Sequence, residues 1–274
     1  MGGADGCCVP DLYLPAVRLG RERRCGSGDL SFDWPVYHLG VIDSTNTEAQ
    51  RRARAGQIEN CWLVAEAQTA GRGRLQRPWL SSSGNLFSTA FFREPGGISI
   101  AARLPFATAL AVSDTAAIVV PSAPVRLKWP NDARVDQAKL SGILIETGGQ
   151  GQDFWVAAGI GINVAESPEG TGQAATCIHA LRGDTLVSAE DVLSVLRKTF
   201  AHRLQQARHS FAPIREDWLK VAEGLGQTVR VNVSDSSIEG IFEDMAEDGA
   251  LILRLPNGER QMIRAGDVSL IGRT

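Results

Sequence analysis

Between residues 125 and 164 three apolar runs follow one another too closely for a helix to fit between them. They cover 125–129, 140–146 and 154–164, with turn-rich stretches at 131–137 and 148–152. A parallel crossover needs a dozen or more residues, so these strands are expected to pair antiparallel.

The flanking sequence supplies further strands and covering helices. A short strand at 36–42 precedes Asp43-Ser44-Thr45-Asn46-Thr47-Glu48, where Thr45 and Glu48 have capping-box spacing and open a helix that ends near Gly56. Compact apolar strands are expected at 61–66 and 86–92. Residues 98–120 are Ala-rich and apolar around most of the circumference, as in a buried helix, with Pro105 close to its first turn. Ser188 and Asp191 open another helix, whose stripe is Val192, Leu196, Phe200 and Leu204, and a shorter one at 214–221 ends at Gly224.

After Gly224 the pattern changes. Alternating strands at 228–233, 238–243, 251–255 and 261–263, with Asp248-Gly249 and Asn257-Gly258 turns, predict a small β-barrel. The fold class is therefore α+β: a mixed sheet packed by helices over residues 34–223, and a barrel over 224–274. Residues 1–33 have no period and read as a flexible leader.

The chain has 274 residues, 43% hydrophobic and 22% charged, with a net charge of −3. A protein living on non-specific nucleic-acid binding would be basic, so an anionic ligand must be held by local cations. The five cysteines (Cys7, Cys8, Cys25, Cys61, Cys177) are scattered without a CxxC pair, which suggests neither zinc nor disulfides and fits a reducing cytoplasm. No apolar run is expected to reach membrane-span length. Gly6 stands where a myristoylation pattern needs Ser or Thr. His38, His179, His202 and His209 have no metal-ligand or triad spacing.

Polar residues gather at strand ends in Ser44-Thr45-Asn46, in Gln68 with GRGRLQR (71–77), in KWPND (128–132) and in KLSGILIE (139–146). Gly71 and Gly73 permit unusual backbone or close ligand approach, and Arg72, Arg74 and Arg77 supply guanidinium charge for phosphate or carboxylate. The loop is neither a Walker loop nor a dinucleotide fingerprint. In KWPND the proline turns the chain and presents Asn131 and Asp132. Gly142 bares the strand beside Lys139, as close ligand approach requires, and in Gly159-Ile160-Gly161-Ile162-Asn163 a bulge is the plain alternative to a site.

These five motifs, in this order and ahead of a small barrel, resemble the biotin protein ligases from about residue 34 onward. Two positions depart from the family pattern: Gln76 where GRGRxGR has Gly, and Ser141 where Leu-Ala-Gly is usual. The resemblance implies a class II synthetase-like sheet with an SH3-like C-terminal barrel. It also implies a two-step reaction in which biotin and MgATP give biotinyl-5′-adenylate, and the biotinyl group then passes to a lysine of a biotin carboxyl carrier domain. Lys139, Arg74 and Asp132 are then the catalytic candidates. Ser44, Thr45, Asn46, Gln68, Gly71, Arg72, Gly73, Arg74, Lys139 and Gly142 are assigned to biotin; Arg72, Arg74, Arg77, Trp79, Lys128, Asn131, Lys139 and Asn163 to ATP. No protein-held metal, operator DNA or membrane is expected, and the chain acts as a monomer or homodimer. The alternatives are a lipoate ligase or acyltransferase of the same superfamily and an Arg/Gly-loop nucleic-acid-binding module.

Overall fold

A computed structural model describes residues 33–170, 172–183, 186–233 and 236–271. The expected leader, with Cys7, Cys8 and Cys25, lies outside the described residues except for Asp33. The chain runs β1 (Val36–His38), β2 (Val41–Ile42), α1 (Thr45–Arg54), β3 (Cys61–Ala65), β4 (Ala67–Gln68), β5 (Leu86–Arg93), α2 (Gly97–Ala101), α3 (Leu104–Val119), β6 (Arg126–Lys128), β7 (Asp132–Val135), β8 (Ala138–Gly148) and β9 (Trp155–Ile162). It continues with α4 (Ile178–Arg182), α5 (Ala189–His209), α6 (Ala212–Lys220), β10 (Thr228–Val233), β11 (Ser236–Met245), β12 (Leu251–Arg254), β13 (Arg260–Ile263) and β14 (Asp267–Leu270).

Seven strands form one mixed sheet in the order β1-β3-β5-β9-β8-β7-β6. All its pairs are antiparallel except β1 with β3, as the short turns of 125–164 required. Alternation along each strand sorts the two faces. Cys61, Leu63, Phe91 and Ala157 turn to the α1 side with Ala49, whereas Trp62, Val64, Phe92, Val156, Ala158 and Ile160 turn to the larger core shared with α3 and α5. The α5 stripe is buried as expected, and Ser188 and Asp191 form a reciprocal capping box.

Several expectations need correction. The first helix is N-capped by Ser44 rather than Thr45, and Glu48 pairs with Arg51 and Arg52 instead of reaching back to a cap. The helix expected over 98–120 breaks after Ala101, because Pro105 fits only the first turn of a new helix. The stretch Gly97–Val119 does meet the length and composition of a membrane span, and 61% of its most apolar 18 residues is buried inside the fold, as in a core helix. The expected turn at 131–137 contains the short strand β7.

The C-terminal unit is a five-stranded antiparallel sheet in the order β13-β12-β11-β10-β14, so the expected barrel is not closed. The three residues joining β13 to β14 carry the chain from one edge of the sheet to the other without laying the two strands side by side. This sheet docks on the larger unit through Phe242 against the Trp218 ring, which itself packs on Phe106 of α3, and through Trp129 Nε1 donating to the Gly249 carbonyl at 3.0 Å.

Strand β9 pairs in unbroken register on both sides, so the bulge considered at Gly159–Asn163 is absent. The irregularity lies between β7 and β8: Ala133 pairs with Ser141 but Arg134 pairs with Lys139, skipping Leu140. A skipped residue reverses the phase of the strand. Leu140 and Ile143 therefore both enter the main core, and Lys139 joins Gly142 on the opposite face.

Candidate active site

That opposite face, the α1 side, carries a cleft of about 670 Å³. Every residue assigned to catalysis, biotin or ATP lines it except Gly71. Gly71 lies behind the wall: a Cβ there would stand 2.8 Å from the Trp79 carbonyl and 3.0 Å from Gln68 Nε2, so the position requires space rather than unusual dihedrals. The left-handed conformations of the loop fall instead on Leu75 (φ 54°) and Gln76 (φ 57°).

One end of the cleft is lined by uncharged, hydrogen-bonded side chains, with the Arg72–Glu146 ion pair beside them. Ser44, Thr45 and Asn46 begin α1 and are almost fully buried, and the Ser44 side chain makes no capping bond. Gln68 Oε1 accepts from the Thr45 N–H at 2.9 Å. Asn46 donates to Glu146 Oε2 at 2.8 Å, and Arg72 Nη2 donates to the same oxygen at 3.0 Å. The floor is bare backbone at Gly159 and Gly161 of β9 and Gly142 of β8, where side-chain alternation would otherwise fill the cleft. Asn46 lies over Gly159, and the Trp79 indole lies over Gly142 and Gly161.

The other end is cationic. Lys139 Nζ sits 2.8 Å from Asp132 Oδ1 and 5.3 Å from the Trp79 ring centroid. Asp267, from the C-terminal sheet, bridges Arg77 at 2.8 Å and Lys128 at 2.9 Å, and Arg74 donates to the Gly266 carbonyl at 3.3 Å. Burial pushes the Asp267 carboxyl upward, but hydrogen bonds from Arg77 and Lys128 outweigh it and hold the group below its ordinary value. Burial likewise draws the Arg74 guanidinium down, against the pull of Asp267 and Asp132. Five cations and two carboxylates line the cleft, a local positive excess in a chain of net −3.

Two assigned residues serve the scaffold. The Asn163 amide donates to the backbone carbonyls of Lys139 (3.2 Å) and Thr176 (3.0 Å), and that of Asn131 to the Ile143 carbonyl (2.7 Å). Glu146, Thr89 and Asp267 were not singled out. Glu146 closes a quoted motif, and Thr89 is the polar residue between Phe87 and Phe91 on the cleft side of β5, so alternation pointed to both. Asp267 reaches the cleft only through the docking of the second unit, which leaves no local signal.

Residues 39–163 match the biotin/lipoate A/B protein ligase family, and residues 224–271 match the biotin protein ligase C-terminal domain. The biotin--[acetyl-CoA-carboxylase] ligase of Paracoccus denitrificans is 40% identical over 84% of this chain and 98% of its own length. The chain belongs to the biotin protein ligase family. A second biotin ligase, from Mycobacterium tuberculosis, is 33% identical over 82% of this chain and 85% of its own. The Aquifex aeolicus biotin protein ligase, solved with biotin and ATP, has a TM-score of 0.72 at 29% identity and covers 86% of this chain and 98% of that one. A biotin protein ligase is thus built here from a glycine-floored cleft with an uncharged end and a cationic end.

Proposed function

We propose that this chain joins biotin to ATP as biotinyl-5′-AMP and transfers the biotinyl group to a lysine of a carboxylase's biotin carboxyl carrier domain. The observation that carries the reading is the convergence of Arg72, Arg74, Arg77, Lys128 and Lys139 on the cleft whose other end holds Ser44, Thr45 and Gln68. A carboxylate needs no general base at neutral pH, so joining two anions requires charge neutralisation and alignment. In the first step a biotin carboxylate oxygen bonds to the α-phosphorus, the bond to the bridging oxygen breaks, and pyrophosphate leaves. In the second, the carrier amine attacks the acyl carbon, AMP departs and the amine loses a proton.

Ser44, Thr45 and Gln68 form hydrogen bonds to the ureido ring, which is discriminated mainly by partners otherwise left unpaired. Lys139 bridges the carboxylate and the α-phosphate, with Arg72 and Arg74 beside it. Arg77, Lys128 and Trp79 take the phosphates and adenine. Asp132, 2.8 Å from Lys139, holds that ammonium in place and then receives the incoming amine. Asp132, Glu146 and Asp267 are each paired with a cation, and no group of three or more candidate metal ligands occurs among the described residues. Magnesium would therefore come on the nucleotide, adding charge neutralisation at its phosphates. Residues 34–223 form the catalytic unit and 224–274 the second one. The family resemblance and the free buried thiols Cys61 and Cys177 support a cytoplasmic site. Lipoate ligases belong only to the wider superfamily.

Biotin-dependent release of pyrophosphate from ATP tests the reading; none from the purified chain refutes it. Lys139→Ala should lower that rate about a hundred- to a thousandfold with an unchanged melting curve, and near-normal turnover would remove Lys139 from its role.

A further inference from the structure

Behind the uncharged end of the cleft stands Thr89 of β5, with no exposed surface. Taken one at a time, its hydroxyl is oriented to donate to Thr45 Oγ1 and to Asn46 Oδ1, each at 2.7 Å. A hydroxyl has one proton, so it can donate to only one of these atoms. The surroundings decide which.

The Asn46 amide nitrogen faces the Leu144 carbonyl at 3.3 Å and Glu146 Oε2 at 2.8 Å, and Arg72 donates to that same carboxylate oxygen. Both neighbours of the nitrogen are acceptors, so the amide cannot be turned round, and Asn46 Oδ1 must accept. The Thr89 proton therefore goes to Asn46. At 2.7 Å the remaining contact needs a proton as well, and only Thr45 can supply it. The other possible acceptor for the Thr45 hydroxyl, Gln68 Oε1, lies farther away at 3.3 Å and already takes the Thr45 N–H. The chain of donors thus runs from Thr45 to Thr89 to Asn46, and from Asn46 to Glu146. Thr45, its proton turned inward, presents only lone pairs to the cleft.

We infer that Thr89 is a positioning residue for the vitamin. It fixes the Thr45 hydroxyl as an obligate acceptor, so the ligand must offer an N–H there, as one side of a cyclic urea does. This inference rests on the placement of the ureido ring at Thr45 proposed above. A ring with oxygen in place of that N–H would set lone pair against lone pair and would be rejected more strongly than loss of one hydrogen bond explains.

The test uses the full chain, with calorimetric titration of biotin and of its two cyclic carbamate analogues, each with one ring N–H replaced by oxygen. Wild type should bind one carbamate at least a hundredfold more weakly than biotin. Thr89→Val should weaken biotin about tenfold and shrink the carbamate discrimination at least tenfold, because the freed Thr45 hydroxyl can then donate. Thr89→Ser should restore both values within about twofold, and the KM for ATP at saturating biotin should not move. In a Thr45→Ala background Thr89→Val should add almost nothing.

Unchanged biotin affinity in Thr89→Val, equal weakening of ATP, or a full loss persisting without the Thr45 hydroxyl would each overturn the inference. Should Thr89→Val not fold, the carbamates on wild type decide it, and equal acceptance of both alongside biotin overturns it. A wild-type chain that binds no biotin at all would instead bring down the functional reading, and the inference with it.

Discussion

The indole of Trp79 rests directly on the backbone of Gly161: a Cβ added there would stand 2.5 Å from Cζ2 and 2.6 Å from Cε2 of the ring. Lys139 Nζ lies 5.3 Å from the same ring centroid, so the absent side chain fixes where both the aromatic plane and the ammonium can sit.

Gly161→Ala should therefore displace the ring without unfolding the strand, since Gly161 has no left-handed backbone. Overpacking at one ring costs about 1–3 kcal/mol. The kcat/KM for ATP is expected to fall about tenfold or more, with a changed near-ultraviolet circular dichroism signal and a nearly unchanged far-ultraviolet one. Normal kinetics would mean that the indole can move aside at no cost.

Gln76 holds a left-handed φ of 57° in the loop where the family pattern has glycine. A residue with a Cβ is disfavoured there by about 1 kcal/mol, and glycine removes that penalty at some entropic expense in the unfolded chain. Gln76→Gly should raise the melting temperature slightly, by about 1–3 °C, whereas Gln76→Val should lower it. Scanning calorimetry on the two variants reads the opposite signs.

Asp267 titrates below its ordinary value of 3.8 in the folded chain. A carboxyl with a depressed folded value contributes stability above its unfolded value and loses it as the pH falls through the folded one. With the Asp267 side chain 39% exposed, solvent screening limits the contribution to under ~1 kcal/mol. The difference in melting temperature between wild type and Asp267→Asn should be constant from pH 8 to about pH 5 and close below about pH 4. A gap that persists in acid would show that the charge is not what matters.

The architecture was legible where periodicity carries it: the antiparallel run through 125–164, the α5 stripe and the Ser188 capping box follow from spacing alone. The residue skipped at Leu140 was hidden, because it is settled by pairing and packing with the neighbouring strand, whereas the helix break had a local mark in Pro105 that sets the first turn of α3. The same limit applies to the cleft. Motif order brought its walls together, and alternation explains why Gly159 and Gly161 share a face. Nothing local announced that Asn131 and Asn163 would bind backbone carbonyls, or that residues 266–267 would close the cationic end from a separate sheet.

That closure ties Arg74 and Arg77, on the glycine-arginine loop, to Gly266 and Asp267. The loop cannot lift away by itself; it must either drag the final strand or let go of it. The last sheet is thus a mooring for the arginines that line the cationic end of the cleft. A fluorophore attached to its outer edge would report events in a cavity that it never touches.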